Sequence, residues 1–376
     1  MKIFKKIACL LVVSVVIVAC TSSDGSNNVS NDGFDRTELL THYADNLIIP
    51  ALENFQMELS QLDVARGNFI NDMNQNNLDL LSEAWLEAYK AWQYVAMYNI
   101  GEAETFTSNN NGFRVFYNIY PVSVSLIENA AAGTSYNLNA DAYFSAQGFP
   151  ALDFLIHGVA QGDNSPLDKF TSNAKANGFI NYMTNVQSQM NSKTSTIVTD
   201  WQTTYRNDFI SNTSSDATGS ISKMVNDYIN YYERALRANK IGVPAGNFSA
   251  GQKFPEKVEA YYKNDVSKEL ALLALDAIKD FFNGKAFNGT SNTGESLASY
   301  LDYLDNSALK ADINAQFEAS RQQIESLNES FSEQVNNDNT QMTMAYDALQ
   351  AAVVLLKVDM ASTLDIQIDF VDNDGD

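Results

Sequence analysis

The residues best suited to chemistry lie in one segment, from Gly148 to Gly158, which reads Gly-Phe-Pro-Ala-Leu-Asp-Phe-Leu-Ile-His-Gly. It holds a carboxylate, Asp153, and an imidazole, His157, four positions apart. On a helix this spacing places both side chains on one face, where they could bind a metal together or form a carboxylate–histidine dyad. Because Gly158 follows directly, the alternative is that His157 only favours the negative end of the helix dipole.

The start of this segment also has a purely structural explanation. Gly148 supplies a turn, Pro150 is tolerated in a first helical turn, and Asp153 near that end would complement the helix dipole. The side chain of Pro150 cannot ligate a metal, so Asp153 is the one hard ligand in the pattern Gly-x-Pro-x-x-Asp. The sequence leaves both explanations open.

Few other residues could complete a catalytic site. The chain has two histidines, His42 and His157, and two cysteines, Cys9 and Cys20. This supply is too small for a zinc site rich in His or Cys, and no His-Glu-x-x-His occurs. The sequence identifies no serine partner for either histidine, and we interpret His42 as a solvated or capping side chain. We therefore predict no catalytic residues.

Two arginines are candidate partners for Asp153. Arg114, within Gly-Phe-Arg-Val, and Arg237, shortly before Lys240, are rare cations in an acidic chain. Either guanidinium could pair with the Asp153 carboxylate across a cleft.

The C-terminal residues offer a second possible cation site. The end of the chain, Asp-Asn-Asp-Gly-Asp at 372–376, alternates oxygen ligands around a glycine, as calcium loops do. It lacks the closing glutamate of such loops, so a solvated acidic tail is the alternative that we favour. Any ion bound there would be a hard cation such as calcium or ferric iron.

Apolar residues recur every three or four positions along most of the chain, which predicts an all-α fold. The clearest stripe runs from Leu78 through Trp85 and Trp92 to Val95. A long first helix should start at Asp35 and be kinked at Pro50. Further helices are expected near residues 123–132, 168–192, 195–211, 219–239, 255–263, 265–283, 294–305, 308–335 and 338–363. The alternating apolar residues after 363 predict an extended segment or a short strand.

The chain divides into a processing signal, a tether and two helical-bundle halves with long inter-helix loops. A basic start and a short apolar run end in Ile17-Val18-Ala19-Cys20, which reads as a lipoprotein signal at 1–19 with lipidation at Cys20. The polar stretch at 20–33 is expected to be a disordered tether. Residues 34–212 and 213–376 would form the first and second halves.

The net charge of −22 limits the partners of the chain. It would become −25 after removal of the signal with Lys2, Lys5 and Lys6. Such a chain repels a phosphate backbone, which argues against nucleic acid as a partner. It would attract cations, although solubility alone also explains an acidic surface.

Several of these features resemble imelysin-like proteins. The Gly148 segment is similar to their Gly-x-His-x-x-Glu stretch, with Pro150 at the His position and Asp153 at the Glu position. The helix from Trp85 to Trp92, Tyr120-Pro121 and Ile-Gly-Val-Pro at 241–244 extend the resemblance, and the acidic end resembles Bacteroidetes-type lipoprotein members. The resemblance implies two helical bundles with a site near their interface. Gly148, Pro150 and Asp153 would then be its ligand-binding residues, with Asp153 as metal ligand and His157, Arg114 and Arg237 as accessories.

Three functions follow from the residues and the resemblance together. The first, which we favour, is a non-catalytic envelope lipoprotein that binds iron or haem, or another ligand such as calcium, for uptake. Its lipid would attach it to the outer membrane, where a transport protein could be its partner. The second is a metallopeptidase of the imelysin type (peptidase M75), which the exchanged motif argues against. The third is a structural or protein-interaction lipoprotein.

Overall fold

The computed structural model describes residues 32–109, 111–289 and 294–370. These residues form helices and loops without a β-sheet, which confirms the predicted all-α class. The expected signal at 1–19, the lipidation of Cys20 and the acidic tail at 372–376 lie outside the described residues. Leu364 and Asp365 form a turn, and the residues that follow, up to 370, form no strand.

The helices follow one another along the chain with loops of varied length. In chain order they are α1 (36–71), α2 (Gln75–Val95), α3 (Glu102–Thr105), α4 (Val124–Ala131), α5 (Gly148–His157), α6 (Asp168–Thr171), α7 (176–211), α8 (220–245), α9 (Ser267–Phe282), α10 (Leu297–Tyr303), α11 (Ser307–Glu325), α12 (Phe331–Asn337) and α13 (339–363). Four of them contain a π-helical segment: Tyr43–Ile48 in α1, Trp201–Tyr205 in α7, Tyr231–Gly242 in α8 and Leu355–Met360 in α13. Short 3-10 helices lie at Gly112–Phe116, Asp141–Ala146 and Pro255–Lys257.

Helix α2 forms as its sequence pattern predicts. Asn74 caps it, because the side-chain oxygen accepts from the Asn77 backbone N–H at 2.9 Å. Its stripe of large apolar residues, including Trp85 and Trp92, is buried. Burial of a large apolar side chain contributes about 1.5–3 kcal/mol, so this stripe holds α2 in the core.

Three helix predictions differ from the structure. The residues at 255–263 form a 3-10 turn and loops, and Ala260 has a φ of +55°, which a helix does not accommodate. The segment predicted at 308–335 is broken, because the Ser330 hydroxyl accepts from the Glu333 N–H at 3.1 Å and caps a new helix. The helices predicted at 168–192 and 195–211 are mostly one helix, α7.

The hydrogen-bond pattern of the first helix changes at Pro50, the residue that was expected to kink it. Pro50 stands in the first turn of the α-helical part Ile49–Asn71, directly after the π-helical segment Tyr43–Ile48. A proline lacks the N–H that would donate to the carbonyl one turn back. We attribute the change of hydrogen-bond pattern just before Pro50 to this missing donor.

The helices pack as two bundles that share a contact. In the first, α1 packs on α2 and α7, and α4 and α5 also contact α7. In the second, α11 and α8 pack on α13, and α9 contacts α11. Helix α2 also packs on α9 and joins the bundles. The boundary at residue 212 stays a prediction. No helix of the described residues combines the length and apolarity needed to cross a membrane.

His42 is buried in this core, whereas we expected it to be solvated or to cap a helix. Its Nε2 lies 2.7 Å from the Gly284 carbonyl oxygen, and its Nδ1 lies 3.1 Å from Nδ2 of Asn46. The ring thus holds the loop after α9 against α1. Helical position alone did not reveal this contact, because Gly284 is distant in sequence.

A buried polar network lies where α2 meets the second bundle. The Lys240 ammonium forms an ion pair with Glu259 and donates to Gln93 Oε1 at 2.9 Å. Glu259 also accepts from Asn118 Nδ2 at 2.7 Å, and Asn118 accepts from the Tyr89 hydroxyl at 2.6 Å. Burial lowers the pKa of Lys240, while the Glu259 carboxylate opposes this effect. The two charges compensate each other, and these amides supply further hydrogen bonds to them.

Removing one charge of this pair should destabilise the fold more than removing both. We expect Lys240→Met to lower the free energy of unfolding by about 3–5 kcal/mol, because Glu259 would be left buried without a counter-charge. The double variant Lys240→Met/Glu259→Gln should recover most of that loss. Urea denaturation of both variants measures the difference, and equal losses would contradict a compensated ion pair.

Candidate functional site

The start of α5 is fixed by Gly148. This residue has a φ of +70°, and a Cβ on it would lie 2.1 Å from the Tyr117 carbonyl oxygen. The neighbouring Phe149 N–H donates to the same oxygen at 2.7 Å. Pro150 follows in the first helical turn, where no N–H is needed. Glycine is therefore required here both by its backbone conformation and by the close approach of residue 117.

Asp153 binds a different part of the chain rather than the start of its own helix. It lies in the second turn of α5 and is 2% exposed. Its Oδ2 accepts from the Tyr262 N–H and its Oδ1 from the Lys263 N–H, both at 2.9 Å. The expected interaction with the N-terminal dipole of α5 is thus replaced by two hydrogen bonds to the loop 256–263, called here the pocket loop.

His157 and Asp153 form the carboxylate–histidine pair that their spacing allows. His157 Nδ1 lies 2.8 Å from Asp153 Oδ1. The other ring nitrogen, Nε2, lies 2.7 Å from Ser82 Oγ on α2, and the Trp85 ring packs edge-on at 4.9 Å between centroids. Sequence reasoning missed Ser82. The available signal was a hydroxyl three positions before Trp85, beside the buried stripe of α2.

The two arginines bind elsewhere. Arg114 Nη2 donates to Asn230 Oδ1 at 2.7 Å, and Arg237 lies 3.4 Å from the Glu233 carboxylate. The partners of the Asp153 carboxylate are instead an imidazole and backbone amides. The sequence singled out these two cations but did not reveal their partners.

A pocket of about 150 Å³ opens where α5 meets the pocket loop. Its walls combine carboxylates, phenols and small apolar side chains: Tyr120, Pro121, Val122, Pro150, Asp153, Glu256, Val258, Ala260, Tyr261 and Tyr262. No lysine or arginine belongs to this lining. The motif positions Pro150 and Asp153 therefore line a real cavity.

Two phenols of the pocket, Tyr262 and Tyr120, are held in the neutral form. Burial and then the nearby Asp153 carboxylate raise the pKa of Tyr262 to about 12. Burial and then Glu259 raise the pKa of Tyr120 well above its ordinary value. Both hydroxyls can therefore donate or accept hydrogen bonds at neutral pH.

The size of the pocket restricts the ligand. Pockets for drug-sized ligands measure about 300–1,000 Å³, so this one suits an ion or a small polar group rather than haem. Among the described residues, no cluster of three or more His, Cys, Asp or Glu side chains could hold a metal. A metal here would need phenol or water oxygens beside the carboxylates.

A buried lysine closes the other end of α5. Lys169 donates from Nζ to the Gly158 carbonyl oxygen, just past the helix end, and its ammonium lies 5.2 Å from the centre of the Phe154 ring. A cation there complements the negative end of the helix dipole. Burial nevertheless lowers the pKa of Lys169 to about 8, against smaller opposing effects of Asp163, Asp168 and Glu128.

Comparison with known proteins identifies the same family that the sequence motifs resemble. The family model described as Imelysin matches residues 48–358. An imelysin-like protein from Psychrobacter arcticum 273-4 has a similar crystal structure, with a TM-score of 0.68 and 18% identity over 92% of this chain and 99% of that one. An iron-regulated protein A precursor from Parabacteroides distasonis ATCC 8503 gives 0.69 and 14%, over 92% and 97%. No curated protein matches.

Replacing Gly148 by alanine should weaken the fold through a clash as well as through backbone strain. Left-handed backbone alone costs a non-glycine residue about 1–2 kcal/mol. Gly133 is the matched control, because its φ is +100° but a Cβ there would meet nothing within 4 Å. We expect Gly148→Ala to lower the melting temperature clearly more than Gly133→Ala. Equal losses would mean that the contact with residue 117 is unimportant.

Lys169 should make stability rise with pH above neutrality. Its pKa is about 8 in the folded chain and near 10.5 in the unfolded one, so between these values the unfolded chain binds more protons. The unfolding free energy of the wild type, relative to Lys169→Met, should therefore increase by about 2 kcal/mol from pH 8 to pH 10. Urea titrations of both proteins at the two pH values measure it, and parallel pH profiles would refute the depressed pKa.

Proposed function

The chain belongs to the imelysin family, and we propose that it is a cell-envelope protein that captures a small cation, with iron as the first candidate, in the pocket beside Asp153. The observation that carries this proposal is the pocket itself. It occupies the position of the family motif, between α5 and the pocket loop, and carboxylates and phenol hydroxyls supply its polar walls.

Charge supports a cation as the ligand. The Asp153 carboxylate accepts hydrogen bonds from three N–H groups, and Glu256 adds a second acid at the exposed rim. The net charge of −22 would also raise the local concentration of cations around the chain. A small hard cation suits oxygen ligands of this type.

The three N–H bonds limit what Asp153 does for a ligand. They use most of its lone-pair directions, so we assign it the negative charge and the ordering of the wall. Ligand contacts would come from Glu256 and from the hydroxyls of Tyr120, Tyr261 and Tyr262. This set lacks an imidazole and a third carboxylate, which does not fit a catalytic zinc centre with three protein ligands. We therefore favour capture over metallopeptidase chemistry.

The pocket also favours an ion over haem. Its volume of about 150 Å³ is below the range of about 300–1,000 Å³ for pockets that hold drug-sized ligands, and a porphyrin is larger than most of these ligands. The relative from Parabacteroides distasonis is named for regulation by iron, which supports an iron-related role for this chain without specifying a ligand.

The cellular setting is part of the proposal. A lipoprotein signal at 1–19 and lipidation at Cys20 would attach the chain to the outer membrane. The tether at 20–33 would then let the pocket reach a transport protein of the same membrane. Iron uptake is the process that this arrangement serves best.

Titration of ferric citrate into the full mature chain tests the capture of iron. We expect iron to raise the melting temperature of the wild type, and Glu256→Gln to weaken binding by about tenfold to a hundredfold, because a charge-assisted contact contributes about 1.5–3 kcal/mol. Glu83→Gln removes an exposed carboxylate from α2 and should bind like the wild type.

Two outcomes would count against the proposal. An unchanged melting temperature with ferric, ferrous, calcium and magnesium salts would exclude cation capture. Equal weakening by Glu256→Gln and Glu83→Gln would mean that cations bind the acidic surface in general. Haem serves as a size control, and we expect it to leave the occupancy of the pocket by iron unchanged.

A further inference from the structure

Ser82, His157 and Asp153 form an ordered chain of hydrogen bonds whose directions follow from their chemistry. The Asp153 carboxylate can only accept, so His157 Nδ1 carries the hydrogen at their 2.8 Å contact. The lone pair of Nε2 then faces Ser82 Oγ at 2.7 Å, and the serine hydroxyl donates to it. A base is thereby directed at a hydroxyl, with a carboxylate fixing its tautomer.

The packing around this chain holds its geometry. Two backbone amides of the pocket loop anchor the Asp153 carboxylate. The Trp85 ring packs edge-on against the His157 ring. Ser82 and Trp85 share α2, while the other two members share α5, so rigid helices carry all four groups. A nucleophile, a base and an orienting acid in this order are the arrangement of nucleophilic catalysis.

Exposure increases along the chain toward the hydroxyl end. The Asp153 side chain is 2% exposed and the His157 side chain is 13% exposed, while Ser82 is half-buried. The acid is thus shielded from water, and Ser82 lies nearer the surface than the acid does. The hydroxyl does not belong to the lining of the pocket, whereas the Asp153 carboxylate belongs to both the pocket and this chain of hydrogen bonds.

We propose that Ser82 is a nucleophile that is activated by His157 and accepts acyl groups from small activated esters. Ser82 Oγ attacks the ester carbonyl carbon while its proton moves to His157 Nε2. The bond to the leaving alkoxide breaks, and the alkoxide takes the proton from Nε2. Water then attacks the acyl-serine with the same base, which releases the carboxylic acid and restores Ser82. The three side chains supply only nucleophile and base, so the substrates are those with good leaving groups.

A fluorophosphonate probe with mass spectrometric mapping tests the proposal on the full mature chain. We expect one adduct at Ser82, slow hydrolysis of p-nitrophenyl acetate, and loss of both in Ser82→Ala. His157→Gln should slow labelling about 100-fold or more, because general-base assistance contributes that much. Ser60→Ala is the matched control, since it removes an exposed hydroxyl from α1 and should leave labelling unchanged.

Three results would overturn the proposal. One is the absence of an adduct at Ser82 while a reference serine hydrolase in the same tube is labelled. Another is labelling of Ser82 at the wild-type rate in folded His157→Gln. If that variant does not fold, the pH profile of the wild type decides: a rate that does not rise as the imidazole loses its proton would leave Ser82 with a structural role only.

Discussion

The carboxylate of Asp153 is the constraint on which the site depends. A buried charge is costly unless hydrogen bonds compensate it, and here three N–H groups from two separate parts of the chain do so. Two of them belong to the pocket loop, so the same hydrogen bonds compensate the charge and hold one wall of the pocket in place. The third belongs to His157, whose tautomer is set by the same contact.

Much of the fold follows from local pattern, and most of the site does not. The stripe through Trp85 and Trp92 predicted α2 because a helical period places those residues on one face. The breaks in the second half depended on the positive φ of Ala260 and on the cap at Ser330, which a period of three or four residues does not report. Helix existence was therefore easier to predict than helix ends.

The site residues divide in the same way. The pair Asp153 and His157 was visible because four positions on a helix bring two side chains together. Ser82 and the backbone amides of Tyr262 and Lys263 were not visible. They reach Asp153 or His157 only through the packing of α2 and the pocket loop on α5, and a backbone amide leaves no trace in a side-chain motif. These contacts explain why an acid stands at position 153 of the exchanged motif, because its carboxylate binds the backbone of the pocket loop.

The π-helical segments have a consequence for comparing this chain with its relatives. A π segment bonds residues five apart, so it admits an extra residue into a helix. Each extra residue rotates the side chains that follow it by about 100° around the helix axis, relative to an uninterrupted α-helix. In α8 the segment Tyr231–Gly242 carries Lys240, whose inward direction is thus set by the local winding of the helix. Between relatives of 14–18% identity, residues that share an alignment column in such helices can face opposite sides, and structural superposition is the sounder guide to equivalence.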